Sequence, residues 1–592
     1  MAAEFELAAA VAPSSGEEKT TLVGESFLTA DIGAATTSLA LFDLVDGAYR
    51  LIARSAAPTS AGPPYLNAAL GLQQAVAQLT DLTGRQFLAP SGVLMRPARA
   101  DGSGVDHFVC SLSAAPPLRV ALVGLLQDVS LASARRALES LYAQEVERLS
   151  LADARSQTEQ VAALLHARPE VIVVAGGTEG GAAAQLRHQL ETIALALSLM
   201  PDDTRPILVY SGNSRLHNAF VATFDGLADW RLAPNVRPDY ERENLDGLIG
   251  QLADIYLRQQ AAAVPGLERA LDWSSFPMAL SAHAFAASCE YFAARAGGRV
   301  LGLDVGADSL TCLAAEPGRV QLNVRADLGL GRPLASLAQD GGPAAIANWT
   351  SAEWPAGRIA DLLLNKALRP HTLALSDDES LVEAAVVRIL IQQAVREAAA
   401  SWGWSPLRLP PFQQLILRGN GLVGMAKPAQ TLLTALDGLQ PGGVFEVLRD
   451  QAGILPALGL LAQHVPELTV QCLEHDGPDT LAWVVATVGP AGASGKSLEL
   501  RLAWPGQDVL QAEVRAGSLE LISLPAGESV ELTIQPEPRV DIGYGPGRGA
   551  KRTIRGGALG LVVDTRGRPL ELPADAKMRR MQLHQWLAAL GA

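Results

Sequence analysis

The chain has 592 residues, which is too long for one hydrophobic core, so its length predicts two or three domains. Hydrophobic residues make up 48% and charged residues 18%, as in folded proteins, which excludes a largely disordered chain. The 62 acidic residues outnumber the 47 basic ones, giving a formal net charge of −15. This charge disfavours nonspecific binding to nucleic acid, because neutralising phosphates needs an excess of cations.

The N-terminal segment indicates neither an export signal nor a membrane anchor. Residues 1–24 are rich in alanine, serine and glutamate without periodicity, which predicts a disordered leader. They lack the basic start and long apolar run of a signal peptide, and apolar runs elsewhere are shorter than the roughly 20 residues that a membrane-spanning helix needs. The four cysteines lie far apart without metal-binding spacing, as is typical of free thiols in a reducing compartment. We therefore expect a cytoplasmic protein without a membrane span.

A strand, turn and strand pattern occurs twice in the sequence. The segment 26–44 is an apolar strand, an Asp-x-Gly turn and a second apolar strand, and 299–318 repeats this order. The repeat predicts two related lobes. Helical and strand-like segments alternate around these hairpins, which predicts mostly parallel sheets covered by helices on both faces. The helical segments include 128–149, 182–200, 379–401, 428–437 and 454–463, and the strand-like segments include 168–181, 205–213 and 413–422.

The pattern changes at about residue 468. Short alternating runs separated by glycine and proline predict a β-rich C-terminal module, which ends in a helix over 577–590. The predicted fold class is therefore α/β with two lobes and an added β-rich module. The predicted boundaries are a leader at 1–24, a first lobe with an inserted subdomain at 25–298, a second lobe at 299–467 and the module at 468–592.

The two Asp-x-Gly turns are the first candidate site. In the first turn, Asp31 could hold a hydrated Mg²⁺, Gly33 permits close approach by phosphate oxygens, and Thr37 offers a hydroxyl. The second turn repeats this arrangement with Asp304, Gly306 and Ser309, and Asp304 could be a second metal ligand. One such turn also makes an ordinary hairpin, whereas two of them, each opening a lobe, could face each other and clamp the phosphates of a nucleotide.

Two further glycine turns could contribute to the same site. Gly419 and Gly421 follow a predicted strand, where ligands of α/β sheets bind, and could line an adenosine pocket. The turn Gly176-Gly177-Thr178-Glu179 could contact phosphate at a helix start, with Glu179 orienting an attacking water. The alternative, a tight turn from strand to helix without a ligand, stays open for 176–181.

Three short motifs resemble those of a known superfamily. DIGAATT (31–37), DVGADS (304–309) and LILRGNG (415–421) look like the two phosphate motifs and the adenosine motif of the actin, hexokinase and heat-shock-chaperone ATPases. An ordered series over about 26–463 resembles, more narrowly, the glutamate-mutase-associated MutL family, which is unrelated to the mismatch-repair protein of that name. The series comprises 110–138, 170–181, 207–213, 235–248, 303–315 and 325–331.

The resemblance implies two actin-like, ribonuclease-H-like lobes around a nucleotide cleft, with ATP and Mg²⁺ as cofactors. It also implies a protein partner, a cobalamin-dependent mutase, for which the chain would act as chaperone or reactivating factor. Residues 304–311 read DVGADSLT where the family pattern is close to DVGGATTD, and 418–421 read RGNG where GTGG is usual. These departures leave open whether the chain is a weak ATPase or does not hydrolyse ATP.

Two other function classes remain open at this stage. A catalytically degenerate actin-like scaffold for a cell-division or envelope assembly is favoured by the altered second turn and the added β-rich module. A small-molecule kinase would need a catalytic carboxylate facing a substrate pocket, for which Glu179 is the candidate. Asp31 and Glu179 are the two candidate catalytic residues of the chain. The sequence does not determine the oligomeric state.

Overall fold

The computed structural model describes residues 25–181, 184–339, 341–405, 408–491, 495–505 and 509–591. The predicted leader at 1–24 lies outside these residues. The described chain divides into two compact units. The inserted unit comprises 115–268 and 323–326, and the main unit comprises the remaining described residues. None of the described helices combines the length and apolar character that crossing a membrane requires.

The main unit begins with a three-stranded meander, a helix and a fourth strand. These elements are β1 (Phe27–Ile32), β2 (Thr36–Val45), β3 (Ala48–Pro58), α1 (Ala68–Thr83) and β4 (His107–Leu112).

The inserted unit then alternates strands with helices. Its elements are β5 (Leu118–Gly124), α2 (Ala132–Glu139), β6 (Ala143–Leu149), α3 (Gln157–Ala167), β7 (Val171–Ala175), α4 (Ala184–Ser198), β8 (Ile207–Tyr210), α5 (His217–Phe224), β9 (Trp230–Leu232) and α6 (Asp246–Ile255).

The chain returns to the main unit through a short helix that starts at the boundary between the units. The elements from there to the end of the second meander are α7 (Glu268–Trp273), β10 (Ala279–Leu280), α8 (Ser281–Ala296), β11 (Val300–Val305), β12 (Leu310–Glu316) and β13 (Arg319–Arg325). The helical region that follows contains α9 (Leu334–Leu337), α10 (Gly342–Ala347), α11 (Ala356–Leu368), α12 (Asp377–Ser401), β14 (Gln414–Arg418), α13 (Asn420–Val423), α14 (Pro428–Leu439), β15 (Gly443–Arg449), α15 (Leu455–Leu461) and α16 (Pro466–His475).

The last part of the chain is rich in strands, as its alternating sequence predicts. Its elements are β16 (Asp479–Ala486), β17 (Lys496–Ala503), β18 (Val509–Arg515), β19 (Leu519–Ile522), β20 (Ser529–Pro536), β21 (Ala550–Arg555), β22 (Leu561–Asp564) and α17 (Ala576–Leu590).

The inserted unit is a doubly wound domain of its own. Its five strands pair in parallel in the order β6-β5-β7-β8-β9, which is the flavodoxin-like order. The predicted helix over 128–149 is wrong in its second half, because α2 ends at Glu139 and Ala143–Leu149 is strand β6. The apolar residues of this segment, Ala143, Val146 and Leu149, stand three apart, which is a helix-like spacing, so pairing with β5 at the sheet edge overrides the local pattern.

The main unit contains two sheets with the same strand order. In the first lobe the order is β3-β2-β1-β4-β10, and in the second it is β13-β12-β11-β14-β15. In both sheets the first and second strands are antiparallel, while the fourth runs parallel to the first and the fifth parallel to the fourth. The prediction of an α/β fold with two related actin-like lobes is confirmed.

The C-terminal strands divide between two sheets. β16, β22 and β19 extend the second-lobe sheet beyond β15, whereas β18, β17, β20 and β21 form a separate four-stranded antiparallel sheet. The terminal helix α17 packs on the second-lobe core through Leu583, Trp586 and Leu587. The C-terminal β-rich region is therefore present, and part of it is continuous with the second lobe.

One apolar core connects the two lobes of the main unit. It combines Phe27 and Phe42 from the first-lobe sheet with Leu313 and Ile416 from the second, together with residues of α8 and α15. α8 and α15 approach closely at Gly459, where an added Cβ would lie 1.8 Å from the carbonyl oxygen of Ala284. Only glycine permits this separation, so the contact holds the two sheets in a defined relation.

A buried ionic network attaches the C-terminal segment to the second lobe. Asp437 of α14 contacts Arg388 of α12 at 3.0 Å and Arg566 at 2.9 Å. Asp564, at the end of β22, contacts Arg566 and Arg568 at 2.7 Å each. All five side chains are at most 4% exposed. Burial alone would raise the pKa of Asp564, but the two arginines outweigh this effect and hold the pKa far below its ordinary value.

Replacing Arg566 by alanine should strongly destabilise the protein. The change leaves the Asp437 and Asp564 carboxylates buried with fewer cations, and breaking a buried pair in this way costs about 3–5 kcal/mol. The free energy of urea-induced unfolding measures the loss. Lys551→Ala is the matched control, because the Lys551 and Glu531 pair is 63% and 50% exposed. The control should change stability by at most about 1 kcal/mol. Equal effects of the two variants would contradict the structural role of the network.

Candidate functional site

The two aspartate turns have the same local geometry. The Gly33 amide donates to the Thr36 carbonyl at 3.0 Å, and the Gly306 amide donates to the Ser309 carbonyl, also at 3.0 Å. Each aspartate lies near the end of the first strand of its sheet, Asp31 on β1 and Asp304 on β11. The sequence repeat therefore marks a structural repeat, as predicted.

The side chain of Arg418 joins the two turns. Its Nη2 atom donates to Asp31 Oδ2, and its Nη1 atom donates to Asp304 Oδ2. The side chains of Arg418, Asp31 and Asp304 are only 12%, 15% and 16% exposed, so these ion pairs are largely shielded from water. The aspartates predicted to face a common ligand thus meet at one guanidinium. Charge-assisted bonds of this kind are shorter and about twice as strong as neutral ones.

The two aspartates have neighbouring residues at equivalent positions in the two lobes. On the fourth strand of each sheet, Ser111 lies in register with Asp31, and Arg418 lies in register with Asp304. Asp31 Oδ1 accepts from the Ser111 hydroxyl at 2.8 Å and from the hydroxyl of Ser281, directly after β10, at 2.6 Å. A neutral hydroxyl in the first lobe thus corresponds to a cation in the second.

Asp450 is the third carboxylate of the cluster. It follows β15, the equivalent of β10, and its Oδ2 lies 3.6 Å from Arg418 Nε. Its oxygens accept from the Ile454 and Leu455 amides at 3.1 and 3.2 Å, at the start of α15. Burial raises the pKa of both Asp450 and Asp304 above the ordinary value, and Arg418 opposes this rise. Three carboxylates therefore share one permanently charged arginine.

The predicted adenosine glycines pack against β11. Gly419 has φ +85°, and an added Cβ would lie 2.4 Å from both Asp304 Oδ1 and the Val305 carbonyl oxygen. At Gly421, a Cβ would lie 2.6 Å from Val305 Cγ1 and 2.8 Å from Leu330 Cδ1. The described contacts explain both glycines by the close approach of the chain to the second turn. Their role toward an adenosine stays a prediction.

The predicted phosphate hydroxyls differ in their surroundings. Thr37 is fully buried, and its hydroxyl lies 2.9 Å from that of Thr59. Ser309 is partly exposed at the second turn.

The second turn is supported by the segment around 329–332. Asp308, which directly precedes Ser309, pairs with the guanidinium of Arg332, whose Nη2 atom lies 2.6 Å from Asp308 Oδ2. The Leu330 amide donates to the Gly306 carbonyl at 3.0 Å, so the segment around 329–332 supports the second turn.

Glu179 belongs to the inserted unit and has its own polar network there. Its carboxylate accepts from the Ser214 hydroxyl at 2.5 Å and from the Asn235 amide at 2.8 Å. Burial would raise the pKa of Glu179, but these hydrogen bonds outweigh it and hold the pKa below its ordinary value. Gly176 accepts from the Asn213 amide at 3.0 Å, and Gly177 accepts from Asn235 at 2.9 Å. These contacts make an ordered turn after β7.

The 176–181 turn lies at a position where a ligand could bind. Thr178 lies inside the turn, where its carbonyl accepts from the Gly181 amide at 2.8 Å. The turn follows β7, next to β5 at the point where the strand order of the inserted sheet reverses, which is where doubly wound sheets commonly bind ligands. A phosphate contact by Gly176, Gly177 and Thr178, and a catalytic role for Glu179, stay predictions.

Arg418 and Asp450 were not among the predicted site residues. The signal for Arg418 was present, because it stands directly before the glycines of the third motif, at the end of a predicted strand. Asp450 follows a strand and precedes an apolar helix without a recognisable motif. In the described part of the chain, no group of three or more His, Cys, Asp or Glu side chains is placed to hold a metal ion. Metal binding by Asp31 and Asp304 stays a prediction.

Replacing Gly419 by alanine should destabilise the main unit. The Cβ would clash with Asp304 and Val305 in a backbone conformation that alanine rarely adopts. We expect the free energy of unfolding to fall by about 2–5 kcal/mol. Gly357→Ala in α11 is the control, because its Cβ would meet nothing within 4 Å. It should leave stability within about 1 kcal/mol of the unchanged protein. Urea unfolding of both variants tests this, and a stable Gly419→Ala protein would contradict the described packing.

Comparisons with solved structures find distant likenesses. An acetone carboxylase structure is 12% identical with a TM-score of 0.34, covering 83% of this chain and 81% of the other. The ATP-dependent caprolactamase from Pseudomonas jessenii is 14% identical with a TM-score of 0.30, covering 82% and 81%. A diol dehydratase-reactivating factor is 13% identical with a TM-score of 0.30, covering 74% and 100%. Such low values carry no conclusion about ligand, activity or partner.

Sequence comparisons place the chain in a family. No curated protein sequence matches it at a significant level. The family model described as MutL protein matches residues 27–476, which includes both aspartate turns, Arg418 and the inserted unit. Since this match covers well over half of the sequence, the chain belongs to the MutL protein family.

Proposed function

We propose that this protein binds ATP at its paired aspartate turns and serves a cobalamin-dependent mutase as a chaperone or reactivating partner. The observation that carries the proposal is that Asp31 and Asp304, from two lobes of repeated topology, converge on one guanidinium. Membership of the MutL family supports the class of partner. ATP hydrolysis is not required by the proposal, because binding alone can shift an equilibrium between two arrangements of a protein.

The geometry suggests how a nucleotide would act on the main unit. Arg418 bonds to carboxylates from both lobes, and a guanidinium binds phosphate with the same planar, two-pronged geometry as carboxylate. Phosphate oxygens arriving at the Gly33 and Gly306 turns would therefore compete with Asp31 and Asp304 for Arg418. Such competition would weaken a link between the two sheets and change how the lobes meet. A partner protein that contacts both lobes would sense this change.

Binding of ATP should be weakened by a negative charge at the second turn. We expect the folded protein to bind ATP at or below millimolar concentration in isothermal titration calorimetry. Ser309→Asp should reduce the affinity at least about tenfold, because a carboxylate near the phosphates costs more than about 1.4 kcal/mol in a partly buried site. Thr158→Asp is the control, because Thr158 is exposed in the first turn of α3 in the inserted unit, where a helix tolerates an added negative charge.

Two outcomes of the ATP titration would contradict the proposal. Absence of ATP binding by the folded protein at millimolar concentration would reject nucleotide binding. Equal affinity of the unchanged protein and of Ser309→Asp for ATP would mean that ATP does not bind near the second turn.

Reactivation of a mutase tests the partner part of the proposal. Purified glutamate mutase holoenzyme, inactivated by prolonged turnover, should regain activity when this protein, ATP and fresh cobalamin cofactor are added. Ser309→Asp should reactivate less well, because it binds less ATP, whereas Thr158→Asp should match the unchanged protein. Failure of the unchanged protein to reactivate the mutase or to form a complex with it would contradict this partner.

A degenerate scaffold is the second candidate function, and the Arg418 cluster favours it. The carboxylates expected at a phosphate site are already paired with an internal cation, and the second turn lacks residues of the family pattern. A scaffold would form a stable assembly whose size in light scattering does not respond to ATP. That result, together with no ATP binding, would select this alternative.

A further inference from the structure

We propose that Arg418 is a built-in cation that stands where a divalent metal ion would otherwise be held between Asp31 and Asp304. The paired turns therefore do not bind Mg²⁺, and any nucleotide bound there is bound without a metal ion. The part that concerns metal ions is independent of the proposed function, and the part that concerns the nucleotide rests on it.

The position of Arg418 in the fold carries the first step. Arg418 is the last residue of β14 and lies in register with Asp304 on the adjacent strand β11. The equivalent position in the first lobe holds Ser111, which donates one neutral hydrogen bond to Asp31. Because the serine side chain is short, the longer arginine side chain extends between the two turns. Each of its two terminal nitrogens bonds to one aspartate.

The carboxylate oxygens that a metal ion would need already have donors or lie against the backbone. Asp31 accepts from two hydroxyls on Oδ1 and from Arg418 on Oδ2. Asp304 accepts from Arg418 on Oδ2, and its Oδ1 lies against Gly419, where an added Cβ would be only 2.4 Å away. Asp450 accepts two backbone amides at the start of α15. A divalent ion would have to displace several of these donors from a largely buried site.

The charges lead to the same conclusion. An arginine side chain stays protonated at every pH at which the protein is folded, so the guanidinium cannot leave the site by losing its proton. A divalent ion bound by Asp31 and Asp304 would lie within a few ångströms of this cation and would be repelled by it. Magnesium also requires near-octahedral geometry with several waters, which a site already filled by a guanidinium does not offer.

Removal of the guanidinium should therefore create a metal site. Mn²⁺ is the probe, because its electron paramagnetic resonance signal reports bound and free ion directly. We expect no Mn²⁺ binding by the unchanged protein at the turns, and a gain in affinity of at least about tenfold in Arg418→Ala. The gain should disappear in Arg418→Ala combined with Asp304→Asn. Arg449→Ala is the matched control, because Arg449 ends the neighbouring strand β15 and pairs with the single carboxylate of Asp479.

Arg418→Met serves as a second variant if the alanine variant does not fold, since methionine keeps much of the aliphatic length without the charge. Circular dichroism establishes that each variant is folded. Two results would overturn the inference. One is Mn²⁺ binding by the unchanged protein that is lost in Asp304→Asn, and the other is a folded Arg418 variant that binds Mn²⁺ no better than Arg449→Ala does.

The nucleotide part uses the unchanged protein with ATP in the presence of Mg²⁺ or of EDTA. Equal affinities support the inference, whereas ATP binding that is lost in EDTA and restored by Mg²⁺ overturns it. If ATP does not bind under either condition, the proposed function fails, and the Mn²⁺ titration alone then decides the role of Arg418.

Discussion

The bond pattern of Arg418 is the constraint on which the centre of the main unit depends. One planar guanidinium connects aspartates that lie 387 and 114 positions away in the chain, and it does so with little exposure to water. A lysine ammonium is a compact point charge and could not offer two parallel donors to two carboxylates in this way. The remaining residues of the cluster complete this arrangement, because the Ser111 and Ser281 hydroxyls and the amides at the start of α15 occupy the other carboxylate oxygens.

Close backbone packing holds the cluster in place. Gly419 lies against Asp304 and Val305, and Gly459 lets α15 approach the Ala284 carbonyl of α8. The apolar core around Phe285 contains residues of both sheets, so the aspartate turns are carried by elements packed on one common core. Interiors packed at this density do not deform continuously, and a ligand at the turns would act by favouring one of a few discrete arrangements. The close contacts at Gly419 and Gly459 therefore limit the arrangements between which a bound nucleotide could select.

Local patterns predicted most of the elements that surround the site. The helix expected over 379–401 is α12 (Asp377–Ser401), with Ser376 as its N-cap, and the strand expected within 413–422 is β14. Periodicity failed at 128–149, because the apolar residues keep a helix-like spacing of three after α2 has ended at Glu139 and the edge strand β6 has begun at Ala143. The C-terminal strands were expected, but their division between the second-lobe sheet and a separate sheet was not, because strand pairing over long separations leaves no local signal.

The sequence by itself determined the repeated hairpins, the glycines that they require and membership of the MutL family, because each of these depends on residues close together in the chain or on an ordered series of motifs. Only the tertiary structure decided that Asp31 and Asp304 meet, that they meet at Arg418, and that Asp564 and Arg566 bury their charges against α12 and α14. These pairings join residues far apart in sequence. Their stability depends on burial and on the geometry of the donors, which exist only after the sheets and helices have packed.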